Sequence, residues 1–170
     1  MLTIKKISLL LVFVFLTVVC FSQQTTVAEP PYKRFPTVPP IKLLMTDSST
    51  VFTKDQLDRR KSVVVMLFSP DCEHCQHETE EIIKNMEALK NTQILMATSM
   101  PFDKMKEFYK HYKLNRFGNI VVGRDLHFML PPFYNVRNLP FMAIYNKKKE
   151  LVSVFEGNMP IDKLISELRK

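Results

Sequence analysis

Three short apolar stretches, residues 63–68, 93–99 and 119–123, alternate along the chain with longer segments whose apolar residues recur at the helical period. The short stretches read as buried strands, each bounded by polar or turn-forming residues. Between the first two, a helix over 73–90 places Cys75, Ile82, Met86 and Leu89 on one stripe, and residues 102–112 read as a second amphipathic helix. Strands and helices alternating at this spacing imply parallel strands covered by helices on both faces. After an irregular or partly helical passage, 141–145 and 151–155 form a hairpin around Lys147-Lys148-Lys149, adding an antiparallel edge, and 161–169 close the chain as an amphipathic helix. Ahead of the first buried strand, 41–45 and 49–52 read as short strands about a turn at Asp47-Ser48, with Thr53 capping a turn that runs to Arg60. The fold class is therefore α/β, a central mixed sheet flanked by helices with an N-terminal β-hairpin extension.

The first residues follow a different pattern. Lys5 and Lys6 precede an apolar run over 7–19 that is short for a membrane span and suits a secretory signal peptide. Ser22, with Cys20 two positions earlier, offers a cleavage site before Gln23. Cys20 also admits a lipid-modified N-terminus, although the preceding Thr17-Val18-Val19 puts a bulky valine where that signal wants a small residue, and an uncleaved anchor is the third alternative. Residues 23–40 carry five of the eleven prolines and no apolar period, the composition of an extended linker. The expected organisation is a signal peptide or anchor over 1–22, a Pro-rich linker over 23–40, and one domain over 41–170. This makes the protein an exported one, periplasmic or held at a membrane through its N-terminus.

The formal net charge of the 170-residue chain is +7, and loss of Lys5 and Lys6 lowers it by two. The basic residues are dispersed except for the lysine triplet, which reads as a solvated turn, so no nucleic-acid surface is expected. Cysteine usage is more telling. Of three cysteines, Cys20 lies in the leader, leaving only Cys72 and Cys75 for the domain. An exported protein with one close CxxC has no structural disulfide framework, so the pair needs another purpose. Cys72 falls at the helix start, where unpaired N–H groups and the positive end of the helix dipole favour a thiolate. Cys75 sits on the apolar stripe. One thiol is thus activated and exposed, and the other is buried and placed to attack a mixed disulfide formed by the first.

A strand, a CxxC opening the next helix, and Pro140 directly before a later strand together resemble the thioredoxin superfamily, over about residues 36–170. In particular the chain looks like the exported bacterial thiol-disulfide reductases related to TlpA and ResA, because of its secretory start, its N-terminal hairpin, and Glu78 in a CxxCxxE pattern. The resemblance implies that Pro140 is cis and beside the dithiol, that Leu139 presents its backbone to a substrate strand, and that no bound cofactor is needed. It further implies protein disulfides as substrates and an electron donor that the sequence does not identify. Two departures matter. Asp71 stands where a tryptophan is usual, and Met66 replaces the buried acid of cytoplasmic thioredoxins, leaving Glu78 as the candidate proton acceptor for Cys75.

Beside the dithiol, Glu73 and His74 bring opposite charges towards the Cys72 sulfur and are expected to tune its redox poise against each other. His77 reads as part of a solvated helix face, paired with Glu81. Other classes stay open. Copper handling or a chaperone-like role would use the same cysteines, with His74 or His77, as metal ligands. Zinc normally takes four ligands from two such pairs, and only one pair exists here, so no metal site is expected. Ser69 stands three residues before Cys72 as a hydroxyl does in peroxiredoxins, but Val65 occupies the place of their proline. The dispersed methionines read as core filling.

Overall fold

The computed structural model describes residues 29–170. The expected signal peptide, and the linker up to residue 28, lie outside the described residues. Helix α1 (Pro31–Arg34) leads to strands β1 (Lys42–Met45) and β2 (Val51–Thr53), a 3-10 turn at Lys54–Gln56, and strand β3 (Ser62–Leu67). Helix α2 (Glu73–Lys84), strand β4 (Thr92–Thr98), helix α3 (Phe102–His111) and strand β5 (Ile120–Asp125) follow. The chain ends with α4 (Leu130–Tyr134), the hairpin β6 (Phe141–Tyr145) and β7 (Leu151–Glu156), and α5 (Ile161–Glu167).

All seven strands of the described residues form one sheet in the order β2-β1-β5-β4-β3-β6-β7. Strands β3, β4 and β5 are parallel, and the pairs β3/β6, β6/β7, β1/β5 and β1/β2 are antiparallel. The step from β3 to β4 and the step from β4 to β5 run in the same direction across the sheet. Right-handed crossovers therefore put α2 and α3 on one face. There Val64, Met66 and Phe68 of the β3 segment pack with Cys75, Ile82, Met105, Phe108 and Leu164. The alternate β3 residues Val63, Val65 and Leu67 face the other way, against Leu130 and Tyr134 of α4. The hairpin β1–β2 is joined to the core across Met45 and Gly123, where a Cβ on the glycine would lie 2.6 Å from the Leu43 Cβ.

Two expectations need correction. The helix expected over 73–90 ends at Lys84, because Asn85 leaves helical dihedrals at φ −106° and ψ 21° and the bonds beyond it tighten to three residues, from Met86 N–H to the Ile83 carbonyl, Ala88 N–H to Asn85 and Leu89 N–H to Met86. Met86 and Leu89 still pack on the same core from the turns that follow. The linker expected over 23–40 is docked from Pro31 onward: Thr37 bridges Glu150, Leu151 N–H donates to the Pro36 carbonyl, and Val38 is fully buried. Its prolines remove backbone donors, which suits a segment lying along a sheet edge.

Candidate active site

The site begins where β3 leaves the sheet. Phe68 N–H still bonds the Ala97 carbonyl, after which Ser69, Pro70 and Asp71 turn the chain into α2. Cys72 is the residue at the helix cap, with extended dihedrals. Its N–H donates to the Ser69 carbonyl at 3.1 Å, its carbonyl accepts from Gln76 N–H at 3.0 Å, and Gln76 Nε2 closes the turn on the Pro70 carbonyl at 2.9 Å. This turn holds Cys72 half-exposed, with Sγ 4.0 Å from the Leu139 carbonyl oxygen. The Leu139-Pro140 peptide is cis.

Cys75, one turn along, is fully buried. Burial pushes its thiol up to about 12, and the neighbouring Cys72 and the charge of Glu78 act in the same direction, while a backbone hydrogen bond from Ser69 opposes them. Both cysteines are free thiols. Glu78 lies one turn further on the same side of α2 and is only 1% exposed. Its Oε2 accepts from Met159 N–H at 2.9 Å and from Asn158 Nδ2 at 3.3 Å. Its Oε1 is buried with no hydrogen-bond partner. Burial raises the Glu78 pKa, and the two donors offset part of that rise.

No protein-family model and no curated protein matches the sequence. Solved structures do match. The exposed lipoprotein thioredoxin of Streptococcus pneumoniae is 20% identical with a TM-score of 0.60, covering 77% of this chain and 98% of its own. A secreted disulfide oxidoreductase of Mycobacterium tuberculosis is 18% identical with a TM-score of 0.62, over 75% and 93%. A peroxiredoxin-like protein of Aquifex aeolicus is 15% identical with a TM-score of 0.61, over 78% and 84%. The chain has the thioredoxin fold.

On this thioredoxin fold Cys72, Cys75, Glu78, Leu139 and Pro140 converge at the C-terminal ends of β3 and β4, although 67 residues separate Cys72 from Leu139. Beside them, on the sheet face opposite α2, lies a cleft of about 300 Å³ lined by Leu67, Phe68, Ala97, Phe128, Val136 and Leu139 among others. Glu73 is exposed in the first turn of α2. His74 is exposed too, and its Nδ1 is engaged by Asn158 Oδ1 at 2.8 Å. Among the described residues no group of three or more His, Cys, Asp or Glu side chains could hold a metal ion. Nor is any described helix long and apolar enough to cross a membrane.

One group of site residues went unread in the sequence: the segment that leaves β7. Glu156 Oε1 accepts from Arg137 N–H and its Oε2 from Asn138 Nδ2, both at 3.1 Å. Gly157 N–H donates to the Pro140 carbonyl at 2.8 Å, and Asn158 and Met159 bond α2. Four consecutive residues thus tie the loop before β6 to the dithiol helix. Gly157, at φ +83°, supplies the left-handed turn between the two sets of contacts. The dipeptide Gly157-Asn158 marks a turn in the sequence, but nothing local connects it to a helix 84 residues upstream.

Proposed function

We propose that the protein is an exported thiol-disulfide oxidoreductase that reduces disulfides in polypeptide substrates. The observation carrying this reading is the contrast between a half-exposed Cys72 at a helix start and a fully buried Cys75 one turn away, beside a buried carboxylate. The Cys72 thiolate attacks one sulfur of the substrate disulfide, forming a mixed disulfide and releasing the first substrate thiolate. Cys75 then gives its proton to Glu78 Oε1 and attacks the Cys72 sulfur, releasing the second substrate thiolate. The substrate gains two electrons and the protein keeps the Cys72-Cys75 disulfide, which a separate electron donor reduces. The exposed side of Leu139 offers backbone to an extended substrate segment, and the adjacent apolar cleft suits one of its side chains. Export is favoured by the leader-like pattern over 1–22 and by the secreted and exposed character of two fold neighbours.

Catalysed reduction of a protein disulfide such as insulin by a small dithiol tests the chemistry. Turnover that needs both cysteines is the expected result, and full turnover by a Cys72→Ser variant would refute it. N-terminal sequencing of the protein recovered from its native cell tests export, with a start after residue 22 or a modified Cys20 as the supporting outcomes.

A further inference from the structure

Asn158 lies outside the dithiol helix and is unused by the proposed chemistry, yet it makes three hydrogen bonds to that helix. Its Nδ2 donates to the His74 carbonyl at 2.8 Å and to Glu78 Oε2 at 3.3 Å, and its Oδ1 faces His74 Nδ1 at 2.8 Å. Both acceptors on the Nδ2 side lack hydrogens to give, so the amide has only one sensible orientation. His74 must then carry hydrogen on Nδ1, a condition met by one neutral tautomer and by the imidazolium alike. The clamp is compatible with either charge state of His74.

Glu78 takes both of its donors from this one segment, and both reach Oε2. Oε1 is left as the free oxygen, buried, one helical turn from Cys75. The titratable groups acting on Glu78 are His77 and Glu81 of its own helix, and Cys75 itself responds to its charge. From the segment after β7 it is faced by an amide and a backbone N–H, neither of which titrates.

We propose that Asn158 is a positioning residue for proton transfer from Cys75: its Nδ2 holds Glu78 Oε2 and the first turn of α2 together, which stabilises the carboxylate and reserves Oε1 for the thiol proton. This rests on Glu78 being the proton acceptor. The aromatic disulfide reagents that release one coloured thiolate per exchange separate the two steps: a first phase for attack by Cys72 and a second for resolution by Cys75, with the protein dithiol oxidised and the reagent reduced to two thiolates.

Asn158→Leu is expected to slow the second phase about threefold to tenfold on the acid side of its pH profile, converging on the unaltered protein at alkaline pH, with the first phase unchanged. Asn158→Asp, equal in size, sets a second carboxylate against Glu78 and moves the acid limb the same way by more. In a Glu78→Gln background neither substitution changes the pH profile further. If Glu78→Gln reshapes the second phase but both Asn158 variants retain the original profile, or slow both phases equally at every pH, the positioning role is wrong. If Glu78→Gln itself leaves the second phase untouched, the assignment of Glu78 as proton acceptor fails first.

Discussion

Two pairs of ionisable side chains are buried on opposite faces of the same sheet, and they are satisfied very differently. On one face Tyr134 and Tyr145 share a hydroxyl-hydroxyl hydrogen bond at 2.6 Å, with Tyr134 packed against Phe141 and Phe133. Burial raises both tyrosine pKa values, so the pair stays neutral and every polar atom has a partner. On the other face Cys75 and Glu78 are as deeply buried, yet Glu78 Oε1 has none. An unpaired buried carboxylate oxygen costs stability, whereas a closed hydroxyl pair does not. The difference separates a polar pair that completes a core from one that, on the proposed mechanism, stays open for a proton.

The sharpest way to break this contrast is at the thiols. Cys72→Ser should lower disulfide reduction about a thousandfold or more, and Cys75→Ser should accumulate mixed disulfides with substrate, seen as reductant-sensitive adducts on gels. Rapid alkylation of Cys75 at neutral pH, equal to that of Cys72, would contradict its burial. Next in size, Tyr145→Phe leaves the Tyr134 hydroxyl buried without a partner and should cost about 1–3 kcal/mol in urea unfolding while leaving the disulfide exchange rate unchanged. A loss of exchange activity there would mean that the two faces are coupled.

Glu78→Gln should do the reverse. The folded state raises the Glu78 pKa above its ordinary 4.5 and so holds a proton that the unfolded chain releases. Stability from this group is complete below 4.5 and is lost as pH climbs through the raised folded value. The Gln variant should therefore gain stability relative to the natural protein as pH rises towards neutral, measured by parallel unfolding curves at acid and neutral pH. The smallest effect belongs to the surface beside the site: Asp71 and Lys104 lie 3.3 Å apart with both side chains at least half-exposed, and Lys104→Met should change stability by less than about 0.5 kcal/mol.

How far the sequence could be read depended on whether the signal was local. The buried strands were legible because Val63 to Leu67 and their counterparts are apolar without interruption, and the CxxC announced the helix start by position. The same periodicity misled at the end of α2. Met86 and Leu89 keep the stripe in phase, but the non-helical dihedrals of Asn85 and the three-residue turns that follow it mark where the helix stops. The linker reading failed on composition alone: the prolines prevent neither the short helix that Pro31 opens nor Val38 from filling a place in the core. Asn158 was out of reach altogether, since its partners His74 and Glu78 are brought to it only by the packing of β7 and α5 against the core.

The seam between Gly123 and Leu43 bears on how the molecule opens. With no room for even a methyl group between β1 and β5, the hairpin cannot tilt on the core without first parting the backbone hydrogen bonds of the seam. Amide hydrogens along β1 and β5 should then exchange with solvent together, as one cooperative unit, rather than the hairpin fraying ahead of the core. The N-terminal strands would accordingly report the opening of the central sheet itself, and Gly123→Ala should turn that shared unit into two with separate exchange rates.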